Sequence, residues 1–159
     1  MIIIRSNVHV PDIGGDRIID FMLNCGDTEY QKWWEGTHIQ FHTIKRNPDD
    51  LGNIVFMDEF IGKRRLRMKA IVREIIPDTM IIWQAKMIFK LPVRIILEVS
   101  NDITGVNISH VIKAGFRNIG RFLDPILRFY LSKSFQQDMD EHVKTEFPLL
   151  GKMLLDSDA

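Results

Sequence analysis

The chain has 159 residues, 45% of them hydrophobic and 26% charged, which fits a single globular domain over 1–159 with a sizeable core. Its 21 basic residues match its 21 acidic ones, so no net field draws it to nucleic acid or an anionic membrane. The one cysteine, Cys25, excludes an intrachain disulfide and any multi-cysteine metal centre.

Ile2 to Val10 alternates as a strand does, and Pro11 with Gly14-Gly15 predicts its end. Met1-Ile-Ile-Ile runs directly into Arg5, with no signal-peptide pattern, and no apolar run reaches the roughly 20 residues of a bilayer span. The expected location is therefore cytoplasmic. Asp16 is a predicted cap for a short helix that puts Ile18, Ile19, Phe21, Met22 and Leu23 on one face and stops near Asn24. Thr28 is a predicted cap for a second short helix through Trp33-Trp34, ended by Gly36.

From His38 to Ala114 the pattern is strand-like, and turn chemistry predicts its registers. A Gly62-Lys63 turn pairs Met57 with Met68 and Glu59 with Leu66, and sets Asp58 against Arg67 on the outer face. A two-residue Pro77-Asp78 turn pairs Ile76 with Thr79, Val72 with Trp83, Ala70 with Ala85, Met68 with Met87 and Leu66 with Phe89. A turn around Asn101-Asp102 sets Val99 against Val106, Leu97 against Ile108 and Ile95 against His110. All three hairpins agree on one inner face, which also takes in Ile39 and Phe41 and is apolar apart from Thr43, Glu59 and His110.

After the strands, Asp124-Pro125 is a helix start signal. Leu127, Leu131, Phe135, Met139 and His142 or Val143 follow at steps of three or four, the spacing of one helical face. The predicted helix runs from Asp124 to Leu155 and spans about 35 Å up to Phe147 at the usual rise. Pro148 is expected to bend or break it.

This α+β order comprises the Val8-His9-Val10-Pro11 strand end, the short helices of Asp20-Phe21-Met22-Leu23 and Tyr30-Gln31-Lys32-Trp33-Trp34, six further antiparallel strands and a long C-terminal helix. It resembles the helix-grip fold of the START/Bet v 1-like superfamily, to which polyketide cyclases and lipid-transfer-type proteins belong. The resemblance covers essentially the whole chain. It implies a curved sheet of about seven strands gripping the helix, with a hydrophobic cavity between them, and it carries little chemistry of its own.

On that reading the ligand wall comprises Trp34, Phe41, Met57, Met68, Trp83, Met87, Leu97, Ile108, Leu127, Leu131 and Phe135, since aromatic and methionine side chains adapt to irregular apolar guests. Glu59, between apolar neighbours, is a candidate acid or base whose pKa desolvation would raise, although Arg64 at the same hairpin end offers it an ion pair. His110 is the second candidate, set against the commoner role of a satisfied core histidine. His38 and His42 are four residues apart, but on a strand that spacing is about 13 Å and excludes one shared ion. His142 and Glu146 have helical spacing and read as a surface pair. The Gly115–Phe122 stretch lacks the lysine and hydroxyl residue of a phosphate loop, and no serine or cysteine nucleophile set stands out. No metal or cofactor is therefore expected.

The run Lys63–Lys69 reads as a solvated basic strand face. The leading expectation is a noncatalytic carrier or sensor of a hydrophobic small molecule or lipid. The alternatives are a cyclase- or dehydrase-like enzyme using Glu59 and His110, and a protein that docks a partner on the basic face.

Overall fold

The computed structural model describes residues 1–86, 90–116 and 118–158. Seven strands form one sheet: β1 (Ile2–Pro11), β2 (His38–Lys45), β3 (Ile54–Ile61), β4 (Arg64–Ile76), β5 (Met80–Lys86), β6 (Lys90–Asp102) and β7 (Gly105–Ala114). Every neighbour is antiparallel and the order is β1-β7-β6-β5-β4-β3-β2, so the first strand returns to pair with the last. Two short helices, α1 (Gly15–Asn24) and α2 (Asp27–Trp33), follow β1. A 3-10 turn over Asn118–Leu123, α3 (Asp124–Tyr130) and α4 (Lys133–Asp156) complete the chain. The seven-stranded antiparallel sheet with its C-terminal helix is the predicted architecture.

The core lies between the sheet and α4, where Phe135, Met139, Val143, Phe147 and Leu150 meet Val10, Trp83, Leu97 and Ile108. Gly151 lets α4 approach β1 closely, because a Cβ at that position would lie 2.3 Å from Val10 Cγ1. The Trp33 indole N–H donates to the Glu146 carbonyl and ties α2 to α4.

The hairpin from β3 to β4 has the predicted register throughout, from Ile61 opposite Arg64 to Glu59 opposite Leu66. Between β4 and β5 the loop is three residues, because Pro77 and a left-handed Asp78 make a turn in which Thr79 N–H donates to Ile76 O. Ile76 therefore faces Met80, and a bulge between Val72 and Glu74 restores the expected pairs Val72–Trp83 and Ala70–Ala85. The expected partners of Met68 and Leu66, Met87 and Phe89, lie outside the described residues.

The turn between β6 and β7 sits at Ile103-Thr104, so Val99 faces Ile108, Leu97 faces His110 and Ile95 faces Ile112. This two-residue displacement from the expected register changes every partner but no face, since side chains alternate with period two. Asp102 decides the turn's position: its carboxylate accepts from the Thr104 amide and hydroxyl and from Asn107.

The helical segments depart further from expectation. The single helix from Asp124 is divided after Tyr130, because Leu131 leaves helical geometry and Ser132 caps a new helix by accepting from the Phe135 amide at 3.3 Å. Pro148 does not end α4, which runs on to Asp156 with Phe147, Leu150 and Gly151 buried around the proline. Burial there offsets the missing backbone hydrogen bond. Neither Asp16 nor Thr28 caps its helix; Gly14 and Gly26 hold those positions with no side-chain bond.

Candidate functional site

The start of β2 decides what reaches the interior. His38 pairs with Glu59 and Gln40 pairs with Asp58, so Ile39 is an extra residue that reverses side-chain alternation behind it. His38 is consequently buried, 2% exposed, on the same side as Phe41, whereas Ile39 is only half-buried and leaves the inner face assigned to it.

A cavity of about 70 Å³ lies between the sheet and α4. Phe41, Met57, Met68, Trp83 and Leu97 line it, as expected of the ligand wall, and so do Glu59 and His110. The remaining expected wall residues lie elsewhere. Trp34 packs on the His142 ring at 4.8 Å between centroids and lines a separate surface recess. Ile108 is fully buried in the core. Leu127, Leu131 and Phe135 do not line the cavity: Leu131 packs against the core, and Phe135 is buried in it with Arg64 over its ring. Met87 lies outside the described residues.

Glu59, His142 and Glu146 form the cavity's polar end, and the buried His38 joins them in one cluster from three elements. Glu59 of β3, His38 of β2 and His142 with Glu146 of α4 bring one ligand atom each to within 4.8 Å of one another. His142 Nε2 lies 3.3 Å from Glu59 Oε2 and 3.2 Å from Glu146 Oε2. His38 Nε2 lies 3.8 Å and 3.5 Å from the same two oxygens. The expected surface pair of His142 and Glu146 is thus a buried one, 4% and 7% exposed, because it continues the inward stripe of Phe135 and Met139 by steps of three and four.

Glu59 does not pair with Arg64, whose guanidinium donates to the Tyr130 carbonyl. Its hydrogen-bond partner is the Tyr30 hydroxyl, which donates at 2.8 Å. Tyr30 also holds His38 twice, stacking on its ring at 4.0 Å and accepting from its Nδ1 at 3.2 Å.

Electrostatically the four groups depend on one another. Burial opposes charge on the His142 imidazole, but Glu146 and Glu59 outweigh it and hold the pKa at about 10. Burial raises the Glu146 carboxyl, and His142 and His38 reverse this and hold it low. Burial drives the Tyr30 hydroxyl well above its ordinary value, with Glu59 and Glu146 adding to the effect. His110 is pushed down by burial against the pull of the two carboxylates, so its imidazole is neutral. The cavity thus contains charged groups at one end and a neutral histidine on the sheet, surrounded by apolar wall.

Outside the site, the basic face is partly neutralised. Arg65 donates to both Asp58 oxygens at 2.8 Å, and Arg67 lies 3.2 Å from one of them. His42 meets Asp27 at 2.8 Å, away from His38. Among the described residues no helix is long and apolar enough to cross a membrane.

Neither a family model nor a curated protein sequence matches the chain. Solved structures do. TTHA0849 from Thermus thermophilus superposes with a TM-score of 0.69 at 12% identity, over 99% of this chain and 100% of that one. Ara h 8.0201 gives 0.55 at 11% identity over 89% and 97% of the two chains. The ginseng major latex-like protein 151 from Panax ginseng gives 0.54 at 10% identity over 88% and 95%. The sheet order, the paired short helices after β1 and the C-terminal α4 are common ground with these structures, and the chain has the helix-grip fold of the START/Bet v 1-like superfamily.

Proposed function

We infer that the protein binds a hydrophobic small molecule between the sheet and α4, as a carrier or sensor. The observation that supports this most is the meeting of an apolar wall with convergent polar groups in one cavity, the usual composition of a small-molecule site. At about 70 Å³ the cavity is several-fold smaller than the roughly 300–1,000 Å³ of most ligand sites, so a guest of lipid size must displace part of the wall. Met22, Met57, Met68 and Met139 are the side chains best able to repack. Burial of apolar guest surface would drive binding, and the Glu59 end would orient a polar group of the guest. The single free, buried cysteine accords with a cytoplasmic setting.

Native mass spectrometry of freshly purified protein tests the reading, with retention of an apolar guest as the expected result. Met68→Trp, which fills the cavity, should abolish that retention while the circular dichroism spectrum stays unchanged. Equal retention by the filled variant would place the guest elsewhere and defeat the proposal.

A second reading, acid/base catalysis of the cyclase or dehydrase kind, draws on Glu59 and His110 sharing the cavity. A carboxylate and a neutral imidazole facing one guest are a workable proton-transfer pair. If Glu59→Gln and His110→Ala leave turnover of an identified substrate unchanged, that reading fails. The docking reading is weakened by Asp58, which occupies both Arg65 and Arg67.

A further inference from the structure

The geometry points to a divalent transition-metal site formed by His38 Nε2, His142 Nε2 and the carboxylates of Glu59 and Glu146. This inference does not rest on the guest-binding reading.

Metal bonds to imidazole nitrogen and carboxylate oxygen of about 2.0–2.2 Å put tetrahedral donors about 3.3–3.6 Å apart. The four His–Glu separations here are 3.2, 3.3, 3.5 and 3.8 Å, and all four donor atoms fall within 4.8 Å. Closing on an ion requires shifts of under roughly 1 Å per donor by that geometry. Two imidazoles with two carboxylates suit zinc, ferrous iron, manganese or cobalt rather than calcium or magnesium, which take oxygen donors.

Two further observations favour an ion over a simple ion-pair cluster. The Nε2 atoms of His38 and His142 are buried and neither has a hydrogen-bond partner, although carboxylate oxygens lie within 3.2 to 3.8 Å. No lysine or arginine among the described residues pairs with either carboxylate, and a doubly charged ion with two neutral imidazoles balances their charge to zero. The ion would take the place of the imidazole protons, which metal binding releases.

The surrounding shell also has the form of a metal site. His38 Nδ1–H donates to the Tyr30 carbonyl at 3.2 Å, which fixes the tautomer with the Nε2 lone pair directed inward. The Tyr30 hydroxyl orients Glu59 at 2.8 Å, and Trp33 and Trp34 pack edge-on and tilted against the two imidazoles. Because Glu59, His142 and Glu146 line the cavity, a guest oxygen or a water held there would be the nearest source of an added ligand.

The full chain, stripped with a chelator and titrated with Co²⁺ and then Zn²⁺, tests the proposal. One equivalent of Co²⁺ with strong visible absorption, displaced by Zn²⁺, is expected. The band should vanish in Glu59→Gln and in His142→Gln, persist in a His9→Asn/His42→Asn variant that removes the two histidines outside the cluster and the cavity, and weaken about 10-fold or more in affinity in Tyr30→Phe. Absence of a stoichiometric band in the wild type, its survival in His142→Gln, or its loss in the His9→Asn/His42→Asn variant would overturn the assignment. Should His142→Gln unfold by circular dichroism, Tyr30→Phe decides the question, since an unchanged Co²⁺ affinity there contradicts the site.

Discussion

Asp58 and Glu59 are adjacent in β3 and point to opposite faces, and their surroundings make one structural and the other a candidate for chemistry. Asp58 is covered by Arg65 and Arg67, whose bonds hold its carboxyl below the ordinary range: the Arg65 bond leads, burial opposes, and the Arg charges complete the effect. A carboxyl whose pKa is lower folded than unfolded contributes stability above its unfolded value and loses it as pH falls through the folded value. Urea denaturation from pH 7 downward should therefore show Asp58→Asn less stable than the wild type at neutral pH, with the gap closing below about pH 4. A constant gap would mean the asparagine acts through packing. Glu59 faces a histidine-rich interior with no arginine at hand, so proton or metal chemistry is open to it and not to its neighbour.

At the level of elements, α4 does two jobs with two stretches. Its middle turns supply His142 and Glu146 to the cavity, and its last turns, around Gly151, fix the distance to β1. An alanine at 151 gains about 1 kcal/mol of helix propensity but meets Val10, itself 1% exposed, at 2.3 Å. Overpacking of this kind costs about 1–3 kcal/mol and should prevail, so Gly151→Ala is expected to lower the unfolding midpoint in urea. The same variant should also loosen the cluster, because His142 and Glu146 are carried on the helix that Gly151 seats.

For the molecule as a whole, stability is unevenly distributed around the cavity. The buried face of α4 and the closed pairing of β1 with β7 form the firm part, whereas α3 buries no residue and exposes Ile126, Phe129 and Tyr130 at 55%, 80% and 66%. Native-state hydrogen exchange should find the amides of α3 opening at much lower free energy than those of α4 near Val143 and Phe147. Addition of a retained guest should slow exchange at the cavity wall. Uniform protection across both helices would contradict this uneven distribution.

Much of this was legible before the fold. Alternation by twos and steps of three and four gave the inner face apart from Ile39, the seven-stranded antiparallel plan and a C-terminal helix, though not its division at Leu131, and they put Phe41, Met57, Glu59, Met68, Trp83, Leu97 and His110 on the face that lines one cavity. Inward direction survives a two-residue register error, which is why the β6–β7 turn could be displaced and its faces still be right. His142 carried a signal too, since it continued an apolar stripe. His38 carried none: the bulge at Ile39 that turns it inward arises from pairing with β3, and no local pattern encodes it. Periodicity in the sequence thus determined which faces are buried, whereas tertiary structure alone decided which polar groups meet there, because His38, Glu59, His142 and Glu146 become neighbours only when β2, β3 and α4 pack together.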